Sequence, residues 1–181
     1  MTLHPVDLPV TIARAQWPEG AEPERPPPVP GFVTTRLAPL VIRVAERCLT
    51  RAYPNGTPNA ARALRTGMVL ASKSGDVDNA RATARAVDDR KRVSPLLFFQ
   101  SVPNAALGHI AVTWGLGGPL VSVCPAGDAW NEAIDIATGI IRSGDADDML
   151  TLHAERALGD GGDTATALLI ALPPNGQETT S

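Results

Sequence analysis

Few residues of this chain have a type and position that suit chemistry. The two cysteines, Cys48 and Cys124, have neither the number nor the spacing of a disulfide framework or a zinc site. Cys48 lies on the apolar stripe of a predicted helix, which favours a buried small hydrophobe over a reactive thiol. Cys124 lies near the end of a predicted strand, where it is either a nucleophile that accepts an acyl group or a packed core thiol. Cys124 is therefore the weak candidate for covalent catalysis.

The other ionisable residues predict no metal or cofactor site. The three histidines are His4, His109 and His153. His109 lies on a predicted helix and His153 at the end of a predicted strand. We expect both to be ordinary, partly exposed histidines. No EF-hand spacing is present among Asp145, Asp147, Asp148 and Asp160, so we expect solvated turn acids. Glycines within residues 159–162 indicate a turn between strands, because no Lys-Ser/Thr follows them as in a phosphate-binding loop.

Length and composition indicate one globular domain. The chain has 181 residues, of which 44% are hydrophobic and 19% charged, with a formal net charge of −3. No basic block suggests a nucleic-acid binder, and no apolar run has membrane-spanning length. The N-terminus lacks the pattern of a signal peptide, and the two cysteines fit a reducing, cytoplasmic compartment. We expect a single domain over residues 1–172 and a flexible tail over 173–181.

The pattern along the chain predicts an α/β sandwich with a mostly parallel five-stranded sheet. Strands are predicted over residues 8–15, 67–72, 120–124, 148–153 and 164–172. Apolar stripes predict helices beginning near Leu37 and after Asn104 and Asp128, and both polar residues suit helix N-caps. Residues 76–92 read as a polar helix or loop with solvated charges. The proline-rich residues 18–30 suit a surface excursion or mobile arm, with a proline-motif ligand as the alternative.

The predicted helix from Asp128 to Arg142 has two different sides. Its apolar stripe comprises Trp130, Ala133, Ile134, Ala137 and Ile141. Its opposite side carries polar residues that we expect to be solvated or in a polar contact, namely Asn131, Glu132, Asp135, Thr138 and Arg142. The apolar arc is about as wide as one buried face needs. A partner across this helix is therefore compatible with the sequence but not demanded by it.

Residues 94–147 resemble the β-ketoacyl synthases of the thiolase superfamily. The matching pieces come in the family's order: Ser-Pro before a Phe-rich strand, Ser-Val-x-Asn, Gly-Leu-x-Gly-Pro, a strand and turn, an Ala-rich helix, and Arg-Ser-Gly-x-Ala-Asp. Weaker similarity reaches back to about Pro9 and forward to Leu172. The resemblance implies the N-terminal half of a thiolase-like, three-layer α/β/α fold. It also implies a nucleophile elbow, the sharp strand-to-helix turn that holds the family's cysteine.

In the family register the nucleophile position falls on Gly127, where no acyl-enzyme can form. Elbow or acyl-binding candidates by position are Ser101, Asn104, Cys124, Gly127 and Asp128. The histidine pair that ketosynthases supply from their C-terminal half has no match here. Chain-elongating condensation by this polypeptide alone is therefore not expected, and no catalytic residue is assigned firmly.

The pattern is similar to that of chain length factors and short ketosynthase-like proteins of aryl-polyene and type II polyketide pathways. In chain length factors the cysteine is commonly replaced by glutamine, whereas this chain has Gly127. The resemblance implies an accessory subunit that pairs with a ketosynthase or acyl carrier protein, or that forms a homodimer, and binds acyl chains. The alternatives are an acyl-transfer or thioester-hydrolysing enzyme that uses Cys124, and a degenerate structural or regulatory protein.

Overall fold

The computed structural model describes residues 9–21, 25–32, 34–93, 95–100, 102–157 and 162–173. Five strands and six helices are found there. The strands are β1 (Val10–Trp17), β2 (Thr66–Ala71), β3 (Leu120–Val123), β4 (Asp148–Glu155) and β5 (Thr164–Ala171). The helices are α1 (Leu37–Ala52), α2 (Ala60–Leu64), α3 (Val77–Asp88), α4 (Pro95–Gln100), α5 (Asn104–Trp114) and α6 (Ala129–Ser143).

The five strands form one mixed sheet in the order β1-β5-β4-β2-β3. β2 is parallel to both β3 and β4, whereas β5 runs antiparallel to β4 and β1. The prediction of a mostly parallel sheet is therefore wrong. A parallel strand needs a crossover of about a dozen residues or more, and the link over residues 156–163 is too short to provide one. The chain instead turns back, so β5 is antiparallel.

Helices cover both faces of the sheet, which confirms the three-layer architecture. On one face α1 and α5 bury a large core, in which Leu40, Ile42, Leu49, Leu107 and Ile110 are at most 1% exposed. Leu37, Leu40, Val44 and Cys48 of α1 follow the three- and four-residue spacing that gives a helix one apolar side. Cys48 is fully buried in this core, as predicted.

On the opposite face α6 packs over β2 and β4. Ala133 and Ala137 are fully buried against Val69, Ala71 and Met149. Small alanine side chains let the helix axis approach the sheet closely. The polar side of α6 is predicted to be solvated, and this is confirmed at Glu132 and Asp135, which are exposed.

Thr138 is an exception to the predicted polar side of α6. It is only 7% exposed, and its hydroxyl donates a hydrogen bond of 2.7 Å to the carbonyl of Ile134. That bond satisfies the hydroxyl within the helix, so the residue can be buried. The prediction that Thr138 is solvated is wrong.

The described part of the proline-rich segment has no helix or strand, as predicted. It is nevertheless attached to the core, because Val29 and Phe32 are at most 9% exposed and form an isolated β-bridge. The predicted Phe-rich strand after Ser94 is wrong, since residues Pro95–Gln100 form α4. Proline suits the first turn of a helix, where its missing N–H costs no hydrogen bond.

Candidate functional site

The turn between β3 and α6 has the strand-to-helix geometry of a nucleophile elbow. β3 ends at Val123 and α6 begins at Ala129. The Asp128 carboxylate accepts hydrogen bonds from the backbone N–H groups of Trp130 (3.0 Å) and Asn131 (3.1 Å). The predicted N-cap at Asp128 is therefore confirmed. Such a cap satisfies two of the free N–H groups at the start of a helix and sets where the helix begins.

Gly127 lies exposed in this turn, and its backbone does not require glycine. Its φ angle is not among the positive values adopted by Gly115 and Gly144. A Cβ atom placed on Gly127 would meet no heavy atom within 4 Å. Neither backbone strain nor crowding therefore accounts for the absence of a side chain. The position is accessible, and glycine supplies no reactive side chain there.

Packing requires glycine at position 118, just before β3, and at position 67 on β2. A Cβ on Gly118 would lie 2.6 Å from the backbone nitrogen of Gly67, and one on Gly67 would lie 2.8 Å from the carbonyl oxygen of Pro119. Two backbone bonds hold this approach, from Gly118 N to Thr66 O (3.1 Å) and from Met68 N to Pro119 O (2.8 Å). The Gly-Pro turn therefore places β3 against β2 and so positions the elbow.

The two cysteines occupy opposite environments. Cys124 is exposed, and its thiol donates a long hydrogen bond of 3.8 Å to the carbonyl of Lys73. Cys48 is buried, and burial raises the pKa of its thiol to about 11. Cys124 is thus accessible to a reagent or substrate, whereas Cys48 is protected and protonated at neutral pH. Any covalent chemistry at a thiol therefore falls to Cys124.

Asn104 does not have its predicted capping role. Pro103 occupies the N-cap position, with no side-chain capping bond, and Asn104 is the first helical residue. The Asn104 side-chain oxygen instead accepts a hydrogen bond of 2.6 Å from the hydroxyl of Ser122 on β3. The predicted cap is wrong because the helix starts one residue earlier, and the side chain joins α5 to the strand of the elbow. Ser101, the other candidate before α5, lies outside the described residues.

A histidine and a glutamate on β4 complete the site. His153 Nε2 lies 3.2 Å from Glu155 Oε1. The two oxygens of Glu155 also accept hydrogen bonds from the backbone N–H groups of Lys73 (2.7 Å) and Ser74 (2.9 Å). The His153 ring lies 6.4 Å from that of Trp130, in the first turn of α6. The turn after β2, the end of β4 and the start of α6 thus meet around this pair.

Sequence reasoning did not find this pair. His153 was interpreted as an ordinary histidine at a strand end, and Glu155 fell beyond the predicted strand. The spacing His-x-Glu was the available signal, because residues two apart on a strand point to the same face. The sequence separation of 82 between Lys73 and Glu155 hides the rest of the arrangement.

A second group of charges lies beside the first. Arg156 donates two hydrogen bonds of 3.0 Å to Asp78 and also pairs with Asp163. Arg36 bonds Asp163 as well, at 2.9 Å. The Arg156 side chain is 4% exposed and that of Asp163 is 0% exposed. The expectation that the charges of residues 76–92 are all solvated is therefore wrong at Asp78, which joins the start of α3 to the end of β4.

The remaining acids and histidines show no further site. Asp147 and Asp148 pair with Arg65 (2.7 Å) and Arg62 (2.5 Å), and His109 contacts the ring of Phe32 edge-on. Asp160, His4 and most of the 159–162 turn lie outside the described residues. Within the described ranges no group of three potential metal ligands is found. None of the helices described is both long and apolar enough to cross a membrane.

The fold is similar to solved ketosynthase structures. The ishigamide ketosynthase/chain length factor has 20% sequence identity and a TM-score of 0.66, with 82% of this chain and 47% of that chain covered. The ketosynthase ApeO in complex with its chain length factor ApeC from Xenorhabdus doucetiae has 16% identity and a TM-score of 0.66, with 86% and 66% covered.

A third similar structure is that of a type II polyketide synthase acyl-carrier protein in complex with its ketosynthase bound to the hexaketide, AntDE:AntF. It has 16% identity and a TM-score of 0.58, with 76% of this chain and 47% of that chain covered. This chain therefore spans about half to two thirds of the length of these proteins. At such identities the similarity establishes the thiolase-like fold.

The family model for the N-terminal domain of β-ketoacyl synthases matches residues 34–181. The match includes α1, the Gly-Pro turn, the elbow and the strands that flank it. The chain belongs to the β-ketoacyl synthase family, and residues 34–181 match the N-terminal domain of that family.

Proposed function

We propose that this chain is a non-condensing, ketosynthase-like accessory subunit of fatty-acid, polyketide or aryl-polyene biosynthesis. The observation that carries the proposal is Gly127, an exposed position in a well-formed elbow where no side chain is present to hold an acyl group. The elbow is retained while its nucleophile is lost. We take residues 1–172 as one domain that acts in the cytoplasm by protein contacts and acyl-chain binding.

The two edges of the sheet differ in a way that indicates where a ketosynthase would bind. At the β1 edge, Arg47 and Arg51 of α1 donate hydrogen bonds to the carbonyls of Gln16 (2.6 Å) and Arg14 (2.8 Å). At the β3 edge, no described side chain bonds the strand backbone. An unprotected edge can accept a strand of another chain. We therefore assign partner pairing to β3.

Exposed apolar side chains accompany the β3 edge. Val112 on α5 is 86% exposed, and Val102 just before α5 is 46% exposed. The hydrogen bond from Ser122 to Asn104 holds α5 beside β3. A partner that adds a strand to β3 would also contact α5 and cover these valines, which favours a protein partner at this edge.

A basic surface supports a second partner. Exposed cations on α3 and the residues after it are Arg81, Arg85, Arg90, Lys91 and Arg92. Exposed Asp88 and Asp89 offset them only in part. α3 starts at the carboxyl end of the sheet, where Asp78 bonds Arg156. This basic surface suits an acyl carrier protein with an acidic face that approaches the elbow.

Native mass spectrometry of the chain co-expressed with a ketosynthase tests the proposal. We expect a defined heteromer that Val112→Glu weakens, because the new charge would be buried at the interface. Val87→Glu is the matched control, since Val87 is 61% exposed on α3, away from β3. A chain that forms only monomers or homodimers beside the ketosynthase would contradict the proposal.

A second candidate function is acyl transfer or thioester hydrolysis through Cys124. It is favoured by the exposure of Cys124 at the end of β3, beside the turn that carries Lys73. Incubation with an acyl thioester should then add one acyl mass, which Cys124→Ala abolishes. Cys48 serves as the internal control, because its buried thiol should stay unmodified in the folded protein. An adduct elsewhere, or none, would exclude this candidate.

A further inference from the structure

The pair formed by His153 and Glu155 has the geometry of an acid–base group. Both residues lie on one face of β4, and their side chains are 28% and 26% exposed. Burial by itself raises the pKa of Glu155, but hydrogen bonds from Lys73 and Ser74 and the nearby His153 lower it overall. Glu155 is therefore an ionised carboxylate at neutral pH and acts only as an acceptor.

An ionised Glu155 decides which ring nitrogen of a neutral His153 holds the proton. Nε2 faces the carboxylate at 3.2 Å, so Nε2 carries the proton and donates it. Nδ1 then has a free lone pair, and among the described residues it has no hydrogen-bond partner. A histidine held by a carboxylate on one nitrogen, with the other nitrogen open, is the arrangement of a general base.

The position of His153 in the sheet places it at the elbow end. His153 is level with Ala71 of β2, and Ala71 is level with Val123, the last residue of β3. The ring of His153 lies beside the ring of Trp130 in the first turn of α6, and the two ring centroids are 6.4 Å apart. Beyond Val123 the chain enters the turn that contains Gly127, around which space is open. β2, β3 and β4 are parallel to one another, and in open α/β sheets ligands bind at the carboxyl end of such strands.

We propose that His153, oriented by Glu155, is a general base that hydrolyses acyl thioesters at the elbow. The choice of thioester as substrate class rests on the proposed function, whereas the base rests on the geometry of the pair. Nδ1 of His153 takes a proton from water while the water oxygen attacks the thioester carbonyl carbon. The C–S bond then breaks, and the leaving thiolate takes the proton from His153, which yields a carboxylic acid and a free thiol. The reaction needs no nucleophilic side chain, so it is compatible with Gly127.

Hydrolysis of hexanoyl-coenzyme A by the purified chain tests this inference, with the released thiol measured colorimetrically. We expect turnover above the uncatalysed rate, lowered about 100-fold by His153→Gln. Glu155→Gln should also lower the rate, since an amide holds the imidazolium less well.

Two controls separate a catalytic role from a structural one. His109→Gln changes a histidine that packs on Phe32 in another part of the chain, and it should keep the rate. Thermal unfolding of His153→Gln should match that of the wild type, because a partly exposed residue is replaced by one of similar size. A rate equal to background, a rate unchanged in His153→Gln, or a rate abolished by Cys124→Ala would each overturn the proposal.

The failure of this inference is distinguishable from failure of the proposed function. Association with a ketosynthase is read by native mass spectrometry and does not require His153. A heteromer without hydrolysis would exclude the base and leave the accessory role. Hydrolysis without a heteromer would support the base and exclude the accessory role.

Discussion

Two charged groups stand next to each other at the end of β4, and they differ in how completely they are paired. Arg156 is almost fully buried and bonds two aspartates, Asp78 and Asp163. His153 is partly exposed, and its Nε2 bonds one carboxylate, whereas its Nδ1 has no partner among the described residues. A buried cation whose three guanidinium nitrogens are all hydrogen-bonded holds elements together. An accessible base with an open lone pair can instead take part in a reaction. The first group therefore bears on stability and the second on chemistry.

The largest expected effect comes from removing the buried cation. Arg156→Met should lower the free energy of unfolding by about 3–5 kcal/mol, because the buried Asp163 and the partly buried Asp78 would lose their main partner. Urea denaturation measures the change. Arg85→Met on the exposed side of α3 is the control and should change it by less than about 0.5 kcal/mol. A change in the free energy of unfolding as small as that of the control would contradict the view that the Arg156 group stabilises the fold.

Acid should weaken the same group. Burial by itself raises the pKa of Asp163, but the bonds from Arg36, the Ala157 amide and Arg156 lower it overall. Because the folded pKa lies below the unfolded value of about 3.9, this stabilisation is complete above that pH and is lost as the pH falls below it. Asp163→Asn should cost about 2 kcal/mol at pH 7. The difference in free energy of unfolding between Asp163→Asn and the wild type should be smaller at pH 3 than at pH 7, as denaturation at the two pH values would show. The control variant Asp88→Asn, at an exposed position, should not show this change.

The cap of the elbow should have a smaller effect. Asp128→Ala removes the acceptor of the Trp130 and Asn131 N–H groups and should cost about 1 kcal/mol. Asp128→Asn keeps a capping oxygen and should cost less. Thermal denaturation of both variants measures the difference. Equal losses in the two variants would assign the effect to charge at the helix terminus and not to the capping hydrogen bonds.

Placing a cysteine at position 127 should have the smallest effect on stability and would test the elbow most directly. Gly127→Cys should change the free energy of unfolding by less than about 1 kcal/mol, because the added Cβ meets no atom within 4 Å. In a Cys124→Ser background the new thiol should react with iodoacetamide faster than Cys124 does in the wild type, since helix N-termini favour the thiolate. A slower reaction would mean that the elbow no longer supports a nucleophile.

Local patterns predicted most of the fold. The stripe from Leu37 to Cys48 predicted α1, and Asp128 marked the start of α6, because periodicity and capping depend only on residues a few positions apart. The direction of β5 was missed, since strand patterns carry no direction and only the short link over residues 156–163 decides it. Asn104 was misassigned because a capping residue and a first-turn residue are one position apart in the sequence.

The site was predicted only in part. Gly127 and Cys124 were found by position in the resemblance, and both lie at the elbow end of the sheet. The base and its support were not found, because Glu155 meets Lys73 across 82 residues of sequence and Arg156 meets Asp78 across 78. No local sequence pattern predicts a contact between residues so far apart in the chain. It follows from β2 and β4 being neighbours in the sheet.

What the sequence determined by itself was therefore most of the elements and the cap at Asp128, which depend on residue type and short-range spacing. The resemblance to a known family added the glycine at position 127 as a residue of interest. What only the tertiary structure decided was which charges meet. Pairing β4 with β2 brings Glu155 to two backbone N–H groups of the turn after β2. That contact keeps Glu155 ionised, and an ionised Glu155 leaves one nitrogen of His153 free.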